Sequence, residues 1–199
     1  MDKIKIAVTG GPSGGKTTLI EALQKDMTGK VSVVPEAASI LYRGGFPRKF
    51  SDAGKIHAQR AIYFTQRELE ELIVSESKTS AVVCDRGSLD SIAYWPQHSA
   101  ADFFKSLPSS AIIEHARYDW VIHLDTADGD SFDSSNPIRT ENHDEAIELN
   151  TLIKEAWKGH PRRVIIPHEA DFLSKIGKAK AVIQKILAGA SYQDVLASL

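Results

Sequence analysis

Five short apolar runs separated by helical patterns, with the glycine-rich stretch GGPSGGKTT directly behind the first of them, predict an α/β fold on a doubly wound, mostly parallel five-stranded sheet. Strands that alternate with helices pair in parallel and carry helices on both faces. In such sheets ligands bind beyond the carboxyl ends of the strands, so the residues just after each apolar run are the first to weigh.

The first run, Ile4 to Val8, reads as a short buried strand and Thr18 to Lys25 as a helix. Between them Gly10, Gly15, Lys16 and Thr17 satisfy G-x-x-x-x-G-K-[ST] in the strand-loop-helix context that gives the motif its meaning, which is the signature of a P-loop NTPase. Across Gly10, Gly11, Pro12, Ser13, Gly14 and Gly15 the backbone N–H groups, which Pro12 alone lacks, can converge on phosphate oxygens with few side chains in the way. The helix behind them directs its partial positive end at the same place. Lys16 is expected to reach the β and γ phosphates of ATP or GTP, the Thr17 hydroxyl to ligate Mg²⁺, and Thr18 to lie beside the α-phosphate.

The second run, VSVVP at 31 to 35, delivers Glu36 to the ligand edge of the sheet. Ser51 or Asp52 then caps a long helix reaching about Ser77, with Ile56, Ile62, Leu69, Leu72 and Ile73 as its apolar stripe and Gln59, Arg60, Gln66 and Arg67 on its polar side. The third run, SAVVCD at 80 to 85, ends on Asp85 with Arg86 beside it, and YDWVIHLD at 118 to 125 ends on Asp125. Residues 126 to 140, TADGDSFDSSNPIRT, hold almost nothing to bury and follow a strand end, which predicts a mobile lid carrying Arg139. A helix starts near Asn142, with Glu145 at capping-box spacing, and runs to Trp157 on the stripe Ala146, Leu149, Ile153 and Trp157. The fifth strand, RRVIIP at 162 to 167, precedes a last helix over about Glu169 to Leu187. One domain over 1–188 follows, with 189–199 as a short amphipathic extension.

Composition narrows the function classes. With 199 residues, 42% of them hydrophobic, the chain can bury a real core. Its net charge of −2 and the lack of any run of five or more Lys or Arg argue against nucleic acid or anionic lipid as a partner. A single cysteine, Cys84, excludes an internal disulfide and fits a buried strand thiol. No apolar run approaches the ~20 residues of a membrane span, and a strand begins at once, which predicts a cytoplasmic chain without a signal peptide.

Phosphoryl transfer needs an acceptor aligned with the γ-phosphate and a carboxylate to orient or deprotonate it, and Glu36 is placed for that task. Asp85 occupies the strand end from which a carboxylate holds the magnesium shell, with Asp125 as its competitor and Arg86 able to clamp acceptor or phosphate. Arg139 can close onto the triphosphate and neutralise developing charge. Gln59, Arg60, Tyr63 and Phe64 on the long helix, with Arg48 in the turn GGFPR, are candidates for an acceptor pocket, whereas Arg162 and Arg163 open the last strand at its far end.

Taken together, GGPSGGKT, VPEAAS, GGFPR, QRAIYFTQRELE, CDRGSLDSIAYWP, IRTE and HPRR resemble the small AAA-type P-loop domain shared by bifunctional nicotinamide-riboside kinases and a TRP-channel translocation-defect protein, over roughly residues 4 to 173. More distantly, the Glu after strand two, the Asp-Arg after strand three and the late lid arginine are similar to deoxynucleoside and thymidylate kinases. The resemblance implies a nucleoside- or nucleotide-kinase-like fold, ATP or GTP with Mg²⁺, and transfer to a nucleoside-like hydroxyl. By that comparison Glu36 matches the acceptor-side carboxylate, Asp85 and Arg86 the strand-three pair, and Arg139 the lid arginine. The expected function is therefore a small-molecule kinase, with a nucleotide-dependent regulatory switch as the alternative; the N-K-x-D guanine motif of regulatory GTPases does not occur.

Overall fold

The computed structural model describes residues 3–126 and 142–199. Strands β1 (Ile4–Thr9), β2 (Val31–Val34), β3 (Ala81–Asp85), β4 (Trp120–Leu124) and β5 (Arg163–Ile166) form one sheet of five strands in the order β2-β3-β1-β4-β5. Every pairing is parallel. The chain adds strands to one side of β1 and then crosses to the other, so the order reverses at the carboxyl end of β1, where the glycine-rich loop begins. This is the crevice in which open α/β sheets bind ligands.

The sheet is buried on both faces because its strands are mostly apolar: Ile6, Ala7 and Val8 of the central strand are all 0% exposed. Alternation sends Ile6 and Val8 to one core with α1 (Lys16–Asp26) and α7 (Phe172–Leu187). Ala7 faces a second core with α3 (Asp52–Glu76), α4 (Ala100–Lys105) and α6 (His143–Ala156). The small α8 (Tyr192–Leu196) seats Val195 in the first core, and the Tyr192 hydroxyl donates to the Arg163 carbonyl at 2.9 Å. Cys84 is buried in β3, where loss of solvent pushes its thiol well above the ordinary range.

Capping explains most boundaries. Ser51 caps α3 by accepting from the Gly54 N–H, and Asn142 with Glu145 closes the anticipated capping box of α6. The last helix starts at Phe172, later than expected, because Asp171 caps it through the Leu173 N–H. Helix α1 begins at Lys16, two residues before the expected start. One expectation fails outright: Gln59 and Gln66 on the supposed polar side of α3 are 7% and 2% exposed, while Leu72 of the apolar stripe is 58% exposed. Gln66 is buried because its side chain has partners, the Arg86 carbonyl at 3.3 Å and Glu70 at 3.2 Å. Between β3 and β4, where no strong period shows in the sequence, the chain forms a 3₁₀ segment (Ser88–Tyr94), a turn at Pro96–His98, α4, and the short α5 (Ala111–His115). The short α2 (Ala37–Arg43) follows β2.

Gly10 has φ +130°, and a Cβ there would lie 2.0 Å from the Leu124 carbonyl oxygen at the end of β4. Gly29 has φ +78° but open space around its Cα. Gly29→Ala should therefore cost about 1–2 kcal/mol from backbone strain alone, whereas Gly10→Ala adds overpacking and should cost about 3 kcal/mol or more. Urea unfolding of the two variants measures the difference, and equal midpoints would show that the loop is not docked on β4.

Candidate functional site

The glycine-rich loop turns from β1 into α1 through left-handed backbone at Gly10, Ser13 (φ 58°) and Gly15 (φ 92°). Its peptide groups are held from behind by side chains far away in sequence. The Gly11 N–H donates to Asn150 Oδ1 at 3.0 Å, and Lys175 Nζ donates to the Gly14 carbonyl at 2.9 Å and also to the Asp125 carbonyl. Lys16 Nζ donates to the Gly10 and Gly11 carbonyls at 2.9 and 2.6 Å. Burial and the neighbouring Arg86 guanidinium lower its pKa to about 7, against the opposing pull of Asp85, Glu36 and Asp90.

Arg86 follows β3 in left-handed backbone at φ 78°, a conformation costly for a side chain of this size. It is held there by its own N–H bonding to the Val8 carbonyl at 3.0 Å and by its guanidinium bonding to three partners. Nη1 donates to the Gly10 carbonyl at 2.7 Å and to Asp90 Oδ2 at 3.3 Å, and Nε donates to Glu36 Oε1 at 3.2 Å. Glu36 is the N-cap residue of α2, yet its carboxylate caps no backbone N–H. It accepts instead from Ser39 and Arg86. Burial raises its pKa, but the Arg86 charge and the Ser39 hydroxyl outweigh that and leave it below the usual carboxylate range.

The two strand-end aspartates differ sharply. Asp85 faces the cavity without a hydrogen bond or ion pair to any described residue, and burial, with the Glu36 charge beside it, raises its pKa to about 6 despite Arg86 and Lys16. Asp125 accepts from Lys154 at 2.6 Å, Asn150 Nδ2 at 3.0 Å and His123 Nε2 at 3.4 Å, and these partners overcome burial to hold its pKa far below normal. The Asp125 carboxylate orients the Asn150 amide, whose oxygen in turn accepts from the Gly11 N–H.

A cavity of about 720 Å³ opens over this arrangement. Pro12, Ser13, Gly15, Lys16, Thr17 and Thr18 line one side, and Glu36, Asp85 and Arg86 lie with them in the same cavity. Gly10, Gly11 and Gly14 are not in its lining; they are packed under Leu124, Thr126 and Asp125. Of the acceptor-pocket candidates, Gln59, Tyr63 and Arg48 line the cavity, and Arg60 and Phe64 do not. Arg162 stacks over Trp120 and Arg163 donates to the Lys154 carbonyl, both away from the cavity. Arg139 and the lid at 126–140, except Thr126, lie outside the described residues.

Sequence reasoning missed Asp90, 5% exposed, which accepts from the Thr9 hydroxyl at 2.6 Å and the Trp157 indole N–H at 2.7 Å as well as from Arg86. Five residues past Asp85 in an aperiodic segment, it offered no signal beyond its charge. Asn150, His123 and Lys175 were missed for a different reason: each lies in a regular element whose apolar residues carry the pattern.

No curated protein matches the chain. Among solved structures it is similar to a deoxyadenosine kinase from M. mycoides with bound dATP, at TM-score 0.63 and 15% identity over 92% of this chain and 99% of that one. NadR in complex with NAD and AMP-PNP aligns at TM-score 0.66 and 16% identity over 96% of this chain and 51% of that one, so the chain spans about half of NadR. A thymidylate kinase from Ehrlichia chaffeensis aligns at TM-score 0.57 and 16% identity over 94% of this chain and all (100%) of that one. At these identities the likeness establishes the fold, the P-loop fold of nucleoside and nucleotide kinases. Residues 5–174 match the AAA domain family, and the chain belongs to it.

Proposed function

We propose that this chain is a small-molecule kinase that transfers the γ-phosphate of ATP or GTP to a nucleoside-like or other small hydroxyl acceptor. The observation that carries the reading is that Lys16 and Thr17, Glu36, and Asp85, from three separate points of the sequence, line one cavity at the switch point of the sheet. Residues 1–188 act as one kinase-like domain, with 189–199 as a short extension and 126–140 as its lid. Kinship with the nicotinamide-riboside kinases and the TRP-channel translocation-defect protein is part of the same proposal.

Lys16 and the loop N–H groups bind the triphosphate. Mg²⁺ fits the residues present, because the Asp85 carboxylate has no hydrogen-bonding partner among the described residues and shares the cavity with the Thr17 hydroxyl. Magnesium keeps most of its shell as water and phosphate oxygens, so one carboxylate and one hydroxyl suffice. Bound there, the ion would neutralise phosphate charge. Glu36 accepts a hydrogen bond from the acceptor hydroxyl, aligns it, and takes its proton as the new P–O bond forms and the bond to the β-phosphate oxygen breaks. Arg86 fixes Glu36 in place, and Arg139 closes over the triphosphate from the lid. The alternative, a nucleotide-dependent switch with little turnover, draws on the depressed pKa of Glu36, since a carboxylate held by an arginine is a weaker base.

Glu36→Gln should reduce γ-phosphate transfer to a competent acceptor by about 10² to 10⁴ while leaving ATP affinity within a few-fold. Transfer is measured with Mg-ATP and Mg-GTP against nucleosides, nucleotides and nicotinamide riboside. Tight nucleotide binding with no acceptor-stimulated turnover in the parent protein would favour the switch.

Lys16 gives a second expectation. Its pKa of about 7 is raised again when a triphosphate lies against it, so binding takes up a proton above pH 7 and affinity falls as pH rises from there. At pH 8 roughly 0.9 proton should be taken up per Mg-ATP bound. Calorimetry in two buffers of different ionisation enthalpy measures this uptake, and Lys16→Met should abolish it.

A further inference from the structure

Trp157 caps the carboxyl end of α6 and is 0% exposed. Its indole N–H donates to Asp90 Oδ1 at 2.7 Å, the same oxygen that accepts from the Thr9 hydroxyl at 2.6 Å. Two donors on Oδ1 orient the carboxylate and turn Oδ2 to the Arg86 guanidinium, at 3.3 Å. Arg86 Nε in turn donates to Glu36 Oε1 at 3.2 Å. A continuous line of charge-assisted hydrogen bonds thus runs from a buried indole through Asp90 and Arg86 to Glu36.

Neighbouring rings fix the indole. Tyr118 lies at 79° to it with centroids 5.2 Å apart, His115 stacks on it at 24° and 5.9 Å, and His160 lies at 74° and 6.2 Å. On the side of the site the backbone itself rests on the ring: a Cβ on Gly87, the residue after Arg86, would lie 2.4 Å from the six-membered part of the indole. Gly87 has an ordinary φ of −117°, so its missing side chain answers this close approach and not a turn. The indole therefore meets Arg86 twice, through the chain at Gly87 and through Asp90.

We infer that Trp157 is a positioning residue: its N–H, acting through Asp90, sets the place of the Arg86 guanidinium and, through Arg86, the orientation of the Glu36 carboxylate. Trp157 does not line the cavity and acts only through these two residues. The consequence for Arg86 is independent of what the protein does; the consequence for catalysis rests on the kinase reading, in which Glu36 takes the acceptor proton. A small misplacement of a group that must meet the reacting hydroxyl in line with the γ-phosphate is costly in rate. A phenylalanine at 157 would keep an aromatic ring against Gly87 and lose the donor.

The test is Trp157→Phe in the full chain, at a temperature where circular dichroism shows every variant folded. In ¹H-¹⁵N spectra the Arg86 Nε–H, assigned through its own side-chain carbons, should exchange slowly with water in the parent and about tenfold or more faster in the variant. With a competent acceptor, kcat should fall about tenfold or more while KM for Mg-ATP stays within about threefold. In an Asp90→Asn background, where the link to Arg86 is already cut, Trp157→Phe should add little to either change. Ile153→Val, in the same apolar cluster and bonded through its side chain to none of these groups, controls for lost stability and should leave both readouts within about twofold. Fast exchange of the Arg86 Nε–H in the parent, no change in Trp157→Phe, a change that Ile153→Val reproduces, or one that adds in full to Asp90→Asn would overturn the inference. Absence of γ-phosphate transfer to any acceptor defeats the kinase reading alone, and the exchange readout then decides the role of Trp157.

Discussion

The site depends on one buried cation. Arg86 leaves β3 in left-handed backbone and its guanidinium joins the glycine-rich loop at Gly10, the start of α2 at Glu36 and the 3₁₀ segment at Asp90. Three pieces of chain that share no hydrogen-bonded strand edge at this point are thereby fixed to one another. A guanidinium suits this place because its planar fork of donors serves several acceptors at once, which an ammonium could not do in the same geometry. Burying it would be unfavourable without compensation, and Glu36, Asp90 and Asp85 provide that, raising its pKa further against the burial that lowers it. Removing either Glu36 or Asp90 therefore changes more than one local contact, since it leaves part of a buried charge unbalanced.

Beneath the α3 side of the cavity a second polar layer stiffens the floor. Glu70 is 0% exposed and satisfied by Lys5 at 3.2 Å, Arg117 at 2.9 Å, Tyr118 at 2.6 Å and Gln66 at 3.2 Å. Glu114, equally buried at 0%, accepts from the Tyr63 hydroxyl at 2.6 Å and from Ser109. Because Gln66 also donates to the Arg86 carbonyl and Tyr63 lines the cavity, this layer ties α3 to the site on one side and to β1 and α5 on the other. Networks of this kind rigidify a core, and here Glu114 Oε2 and Arg117 Nε, which lack hydrogen-bond partners among the described residues, lie 3.5 Å apart as an ion pair. Gln66, on the polar side of α3, is thus part of the connection between helix and site.

How much of this was legible follows from what makes a sequence signal. The strands and long helices announced themselves because burial imposes a period on apolar residues, and the phosphate loop because its glycines answer a steric requirement at fixed spacing. Glu36, Asp85 and Arg86 could be picked out because a strand end in a parallel sheet is a defined place. Whether Asp85 or Asp125 was free could not be read, since that depends on Lys154 and Asn150, which come to Asp125 only when α6 crosses back over the sheet. Asp90 was silent for a related reason: its partners Thr9 and Trp157 lie 81 and 67 residues away, and the 3₁₀ segment that carries it has no amphipathic repeat.

The loop's carbonyls explain why such distant residues are needed. A loop that offers N–H groups to phosphate must turn its carbonyl oxygens elsewhere, because an oxygen left facing the anion repels it. Here the Gly10 carbonyl accepts from Arg86 and Lys16, the Gly11 carbonyl from Lys16, and the Gly14 carbonyl from Lys175. Arg86 is a cation, and Lys16 is one while protonated, so such donors screen a carbonyl dipole as well as satisfying it. Lys175 is 2% exposed and reaches Gly14 across 161 residues, and its burial is sustained by the Asp125 carbonyl on the other side. The polarity of the loop toward the cavity is therefore imposed from β3 and α7 as much as by the glycines, and a phosphate-loop motif grafted without those donors would keep the spacing and lose part of the field.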